Sequence, residues 1–355
     1  MAATVSTLTS NITAPVNYVL MRGLLSSARK RCPYFNGTLP GALEKNGGSM
    51  SVKWRRIENL SPVTTALGEV TGTAAFGMGR SAVQPTITDV TVAIAKYGNW
   101  VMPTEEVDLF NVNSKSAQIL DVLGRNAGES LNLLMRDVHD TSTNVRYGTT
   151  ATADTNVVTP ISLGDIKYVV NQLDRQSAMK FYGLGTGSRN IGTSPVRDAY
   201  FGVVHSDVEW DIRALTGFTP VEQYGGYVET EPGEFGTVAG VRWVATETAP
   251  VTTGAGTTTA TGFRGASNIL NDVYSTFIYG KEAVGTIGLG ENHTKEIYMM
   301  GDRLPAIQLI NKPKGSSGAA DPFNEVGSLA WKAWFAGKIL NQNWIWKIRS
   351  LSADL

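Results

Sequence analysis

His205, Asp207, Glu209 and Asp211 occupy alternate positions in the stretch HSDVEWDIRAL, residues 205–215. In a β-strand, alternate side chains leave the same face, so these four would form one row. An imidazole beside three carboxylates could hold a hard cation, or could share protons as an acid and a base. A catalytic zinc site asks for more, namely three protein ligands that usually include two histidines. The remaining histidines do not supply a partner: His139 lies between Asp137 and Asp140 in a helical stretch, and His293 lies in a polar Gly/Asn-rich one. The opposite face of such a strand would carry Val204, Val208, Trp210 and Ile212, with Ser206 among them. That is the alternation of a half-buried strand. The row therefore reads first as a wet strand face and second as a hard-cation site.

Other reaction centres are not assembled. The glycine-rich FYGLGTGSRN (181–190) lacks the Gly-Lys-Ser/Thr of a phosphate-binding loop and the strand-to-helix setting such a loop needs. No Gly-x-Ser-x-Gly elbow occurs. The single cysteine, Cys32, excludes an internal disulfide and a cysteine-based zinc site, and its N-terminal position offers no rigid supporting shell. No catalytic residue, metal or cofactor is expected.

The elements that would position these residues form an α+β pattern. The 355 residues include 31 Lys+Arg and 31 Asp+Glu, a formal net charge of zero, without the basic excess of a dedicated nucleic-acid binder. The first acidic residue is Glu44, whereas Arg22, Arg29, Lys30 and Arg31 precede it. Residues 1–50, with one helix expected near 16–31, read as a basic arm lying on a partner surface, the alternative being a transit peptide. No apolar run reaches the ~20 residues of a membrane span. SVKWRRIENL (51–60) and DVTVAIAKYGNW (89–100) are strand-like, and residues 61–88 between them are rich in Gly, Thr, Ala and Ser. Too weakly apolar to fold alone, that insert predicts a protruding hairpin that becomes ordered on a neighbour.

Leu120, Leu123, Ala127, Leu131, Leu134 and Val138 recur at spacings of three and four, which predicts a helix over about 114–147 with Ser114 as cap. A helix of about 30 residues would span about 45 Å at 1.5 Å per residue. Gly124 and Gly128 would mark a close approach of another backbone. A second helix should begin after Ser162, with Asp165 three residues on. GVRWVATET (240–248) and KEIYMMG (295–301) read as strands. Residues 327–350 read as a strand pair about Asn341-Gln342-Asn343, with Trp344, Trp346 and Ile348 on one face and Ile345, Lys347 and Arg349 on the other. The tryptophans there suit core packing.

The order of these elements, with VKWRRI (52–57), SPVTTALGE (61–69), AKYGNW (95–100), VVHSDVEWDIR (203–213), KEAVGTIGLG (281–290) and DPFNEVGSLAWKAWFAGKILNQNWIWKI (321–348), resembles the major capsid proteins of tailed phages. These have the Hong Kong 97-type fold, and the local match is nearest the podophage branch, although Ile212 stands where Leu is usual. The resemblance covers nearly the whole chain. It implies an N-terminal arm (1–50), an extended loop hairpin (51–100), a peripheral domain with the spine helix (101–160), an axial domain (161–320) and a return to the peripheral sheet (321–355). It further implies a non-enzymatic structural protein that self-assembles as hexamers and pentamers of an icosahedral shell around double-stranded DNA. Such a protein is located in the virion and assembled in the host cytoplasm. Expected partners are further copies of the chain, a scaffolding protein, a portal, a cement or decoration protein, and packaged DNA held non-specifically on the inner face, with no membrane. Arg55, Arg56, Glu69 and Arg80 are the candidate inter-subunit contacts. Some relatives crosslink their loops through Lys–Asn bonds, but residues 61–88 contain no lysine, so a non-covalent shell is expected. The rivals are an encapsulin-like compartment of the same fold and a hard-cation-dependent enzyme built on residues 205–211.

Overall fold

The leucine spacing beyond residue 114 becomes the longest helix among the described residues of the computed structural model, α1 (Lys115–Asp140). Its 26 residues span about 39 Å. Leu120, Leu123, Ala127, Leu131 and Met135 are buried along one stripe, with Leu134 and Val138 partly buried beside them. The expected helix continued to 147, but the chain leaves it at Asp140. Thr141 bonds back to the Val138 carbonyl through both its amide and its hydroxyl, and Asn144 donates to Gln342 O. Short polar side chains in TSTN compete with the helix for backbone groups. Residues 145–147 are then taken up as a strand. Gly124 and Gly128 are buried in the helix.

The structure describes residues 33–41, 50–58, 60–64, 83–106, 115–148, 151–181, 198–224, 233–257, 262–265, 270–287, 307–314, 323 and 325–354. The helix expected at 16–31, Cys32, Ser114, residues 182–190, His293 and the strand expected at 295–301 lie outside these residues. Numbered in chain order, the strands are β1 (Leu39–Pro40), β2 (Ser51–Ile57), β3 (Ile87–Ala93), β4 (Ala95–Val101), β5 (Val145–Tyr147), β6 (Tyr200–His205), β7 (Thr219–Pro220) and β8 (Glu234–Val238). They continue with β9 (Val241–Thr246), β10 (Val251–Thr252), β11 (Val273–Tyr279), β12 (Val284–Ile287), β13 (Ile307–Lys312), β14 (Ser328–Ile339) and β15 (Ile345–Ser350). Two further helices are α2 (Leu163–Arg175) and α3 (Ser206–Arg213). As the sequence predicts, α2 begins after Ser162, whose hydroxyl accepts from the Asp165 amide.

A five-stranded sheet runs β1-β12-β14-β13, with β4 also paired to β14. An eight-stranded sheet runs β5-β15-β11-β6-β9-β8-β7, with β10 on β11. β2 and β3 form a separate two-stranded hairpin. The larger sheet is buried on both faces. Phe201, Val203, Phe277, Tyr279 and Ile345 enter a core shared with α1 and β14. Tyr200, Val204, Ile278 and Ile348 enter a second core under α2 and α3. Two-sided burial explains why β6 and β11 are apolar at nearly every position and do not alternate.

The two C-terminal runs do not pair with each other as expected. β14 lies in the five-stranded sheet and β15 in the eight-stranded one. Asn341 caps a short 3-10 turn, Gln342–Trp344, by accepting from the Asn343 amide, and this turn redirects the chain between sheets. β12 and β13 also belong with β14, so sheet membership does not change once near residue 320. The facing of β15 is as the sequence predicts for Ile345, which enters the first core, and for Ile348 and Trp346, which belong to the second; Trp344, expected on the Ile348 face, packs against both.

Candidate functional site

β2 and β3 pair over seven residues, from Ser51↔Ala93 to Ile57↔Ile87. Alternation gives the hairpin two different faces. Val52, Trp54 and Val92 pack with Trp334 around buried Ile94, Ile287 and Ala336, which seats the inner end on the five-stranded sheet. The run expected as one strand over 89–100 is broken at Ile94. There the chain passes from hairpin to body, and β4 joins β14. On the opposite face Arg55 lies directly across from Asp89. Its Nε donates to Asp89 Oδ1 at 2.9 Å and a second guanidinium nitrogen donates to Oδ2 at 3.3 Å. Lys53 Nζ reaches the same carboxylate at 2.6 Å. The hydrogen bonds from Arg55 and Lys53 hold the Asp89 carboxyl down at about 2.

Arg56 points the other way. It donates to Glu58 Oε1 at 2.8 and 2.5 Å and to the Leu340 carbonyl at 2.9 Å, tying the hairpin to the end of β14. Arg55 and Arg56 thus lie on opposite faces, each with partners in its own chain. Glu69 and Arg80 lie outside the described residues. Asp89 was not singled out in the sequence, yet an acid placed across from two basic residues at i and i+2 was its signal. Beyond the ion cluster the hairpin turns apolar: Ile57 is 64% exposed, Val63 80% and Val83 68%, with Leu60 and Ile87 also exposed. Five large apolar side chains at this end are thus exposed, with nothing against them from the described residues.

The row at 205–211 is not a row. β6 ends at His205 and α3 begins at Ser206. His205 is the cap: its Nδ1 accepts from the Asp207 amide at 3.1 Å. Val208 and Ile212 are buried four residues apart, the helical spacing, and Trp210, expected inside, is 59% exposed. The carboxylates consequently diverge. Asp207 takes Arg264 at 2.7 Å and the Tyr274 hydroxyl at 2.9 Å. Glu209 pairs with Arg213 one turn on, and Asp211 accepts from the Ala353 amide at 3.2 Å. Burial pushes the His205 imidazole down and the Asp211 carboxyl up. With Ser352 donating to the Asp207 carbonyl, the cluster fastens the last described residues to the start of α3. Among the described residues no three His, Cys, Asp or Glu side chains converge as a metal site, and no helix is long and apolar enough to cross a membrane.

No protein-family model and no curated protein matches the sequence. Solved structures do match the fold. A chain of the capsid of Ralstonia phage GP4 aligns with a TM-score of 0.61 at 12% identity, covering 91% of this chain and 92% of that one. A chain of the head of Helicobacter pylori bacteriophage KHP40 aligns with 0.56 at 11% identity, covering 91% of each. A chain of the cyanophage Pam1 capsid aligns with 0.51 at 12% identity, covering 86% of each. The chain has the fold of these phage capsid structures. The α+β, Hong Kong 97-type architecture expected from the sequence is therefore the one present, with the hairpin, long helix and two sheets as its parts. At 12% identity or less this shared fold rests on how the elements are arranged, not on shared side chains.

Proposed function

We propose that this chain is a major capsid protein that assembles through hexamers and pentamers into the icosahedral shell of a phage virion. The observation that carries this reading is the match of the fold to phage capsid chains over about nine-tenths of both partners. The five-stranded sheet with α1 takes the peripheral role, and the eight-stranded sheet with α2 and α3 takes the axial role. The hairpin is the extended loop, and its exposed apolar end, Ile57, Leu60, Val63, Val83 and Ile87, is the surface laid on a neighbouring copy. Arg55, Arg56, Glu69 and Arg80 are proposed as contacts there. The two arginines would gain partners in addition to Asp89, Glu58 and Leu340 O. The basic N-terminal arm is assigned to the inner face beside non-specifically held double-stranded DNA. A scaffolding protein, a portal and a cement or decoration protein are its other partners. A structural, non-enzymatic role goes with this reading.

Electron microscopy of the purified protein, alone and with a scaffolding partner, tests the reading. Hexamers, pentamers or closed shells are expected. A uniform monomer or small dimer under both conditions would overturn it.

A further inference from the structure

Two buried polar atoms inside one aromatic box lack partners among the described residues. Tyr34, in the short 3-10 turn Pro33–Phe35, is fully buried, and so is His139 near the end of α1. Their rings stand 5.3 Å apart between centroids, and His139 also meets Phe277 at 6.0 Å and Tyr279 at 5.1 Å. His139 Nδ1 lies 2.9 Å from the Met135 carbonyl. A carbonyl only accepts, so the neutral ring carries its proton on Nδ1 and presents a bare lone pair at Nε2. Neither Nε2 nor the Tyr34 hydroxyl has a hydrogen-bond partner among the described residues. One is an acceptor, the other a donor, and both are held in the same apolar surroundings.

Tyr34 belongs to a strip that crosses several elements. Its amide donates to Asn132 Oδ1 of α1 at 3.4 Å, and the Tyr279 hydroxyl donates to the Asn36 carbonyl at 2.9 Å. β1 adds only a two-residue parallel pairing to β12, with Gly41 donating to Thr286 O. A segment with so few backbone bonds is the cheapest part of this core to release. Among the described residues no carboxylate is placed against the imidazole to compensate a positive charge. The elements packed on it contribute Tyr34, Phe277 and Tyr279. Its own helix contributes Arg136, which donates to Asp137 and to Thr248 O, and Asp140, which accepts from Lys347.

We propose that Tyr34 and His139 form an acid-sensitive latch: neutral His139 holds residues 33–41 on the body, and its protonation lets that segment lift while both sheets stay folded. The inference concerns the folded protomer and holds whether or not shells form. Burial depresses the His139 imidazole from 6.5 to about 4, overriding the opposing effect of the Met135 carbonyl. The sign follows from that direction. Open, solvated imidazole binds protons below about 6.5, and the latched ring does so only below about 4. Latching is therefore complete above pH 6.5 and weakens about tenfold per pH unit down to about 4.

Hydrogen exchange on the full-length protein, corrected for intrinsic rates, reads this directly. Between pH 7 and pH 5 the protection of residues 33–41 should fall about 20-fold, while β11 amides keep theirs. His139→Phe, which keeps a ring but cannot titrate, should flatten that dependence. A parallel fall in β11, or an unchanged fall in His139→Phe, overturns the latch. Should His139→Phe not fold, Tyr34→Leu serves: residues 33–41 should be weakly protected already at pH 7, with no further acid loss. A retained 20-fold dependence in that variant likewise overturns it.

Discussion

Replacing Glu234 by Gln should destabilise the eight-stranded sheet far more than its single-atom change suggests. Glu234 on β8 and Arg242 on the neighbouring β9 face each other with side chains 0% and 2% exposed. Arg242 Nε donates to Glu234 Oε1 at 2.7 Å, the second carboxylate oxygen takes the guanidinium fork, and the Tyr224 hydroxyl donates to Oε1 at 3.0 Å. Burial, reinforced by the Glu234 charge, pushes the Tyr224 hydroxyl well up, so it remains a donor at any ordinary pH. Two charges about 4 Å apart at an effective dielectric constant near 20 attract by about 4 kcal/mol. Gln keeps the shape and some hydrogen bonding but removes the Glu234 charge from beside the buried guanidinium. Breaking a buried pair from one side costs about 3–5 kcal/mol. Urea unfolding followed by circular dichroism should show it as a midpoint lowered by about 1–2 M, taking a slope of about 3 kcal/mol per M for a chain of this size. The double variant Glu234→Leu/Arg242→Met should recover most of that loss, because neither charge then needs desolvation. A loss under about 1 kcal/mol for Glu234→Gln, or a double variant worse than the single one, would refute the reasoning.

Gly202→Ala would place a Cβ 2.5 Å from the Trp243 ring, between β6 and β9. It should cost about 1–3 kcal/mol by chemical denaturation, as overpacking does. Ser162→Ala removes the hydroxyl that accepts from the Asp165 amide, so thermal denaturation should show a loss of about 1 kcal/mol. Arg55→Gln removes the larger of the two hydrogen-bonded partners of Asp89 and should raise that carboxyl from about 2 toward 3.8, read by carbon NMR of the side chain. The cross-strand cluster in the native protein should accordingly persist above pH 3.8 and weaken only as pH falls toward 2. Particles boiled in detergent should run as one monomer band, since residues 61–88 carry no lysine for a loop crosslink; a ladder of covalent multimers would sink that expectation.

The sequence by itself determined the elements whose signals are local. The leucine stripe of α1, the Ser162 cap, the alternation of β2 and β3, and the facing of Ile345 and Ile348 need only neighbours within a few residues, and each is read at its own period. The fold class followed from their order. Tertiary structure decided the rest. Residues 204–212 carry apolar groups compatible with period 2 or with i,i+4, and only packing of Val208 and Ile212 into the second core selects the helix. β14 and β15 look like one strand pair because a turn says where a chain bends and not which sheet it enters next. Asp89 and Leu340 O became the partners of Arg55 and Arg56 through a register and a docking that join residues 34 and 284 positions apart. His139 reads as a polar helix residue beside two aspartates, yet it faces Tyr34, Phe277 and Tyr279, brought from far away in sequence. Short-range sterics and side-chain periodicity are written into adjacent residues. Burial on two faces and the pairing of distant charges exist only once the chain has closed on itself.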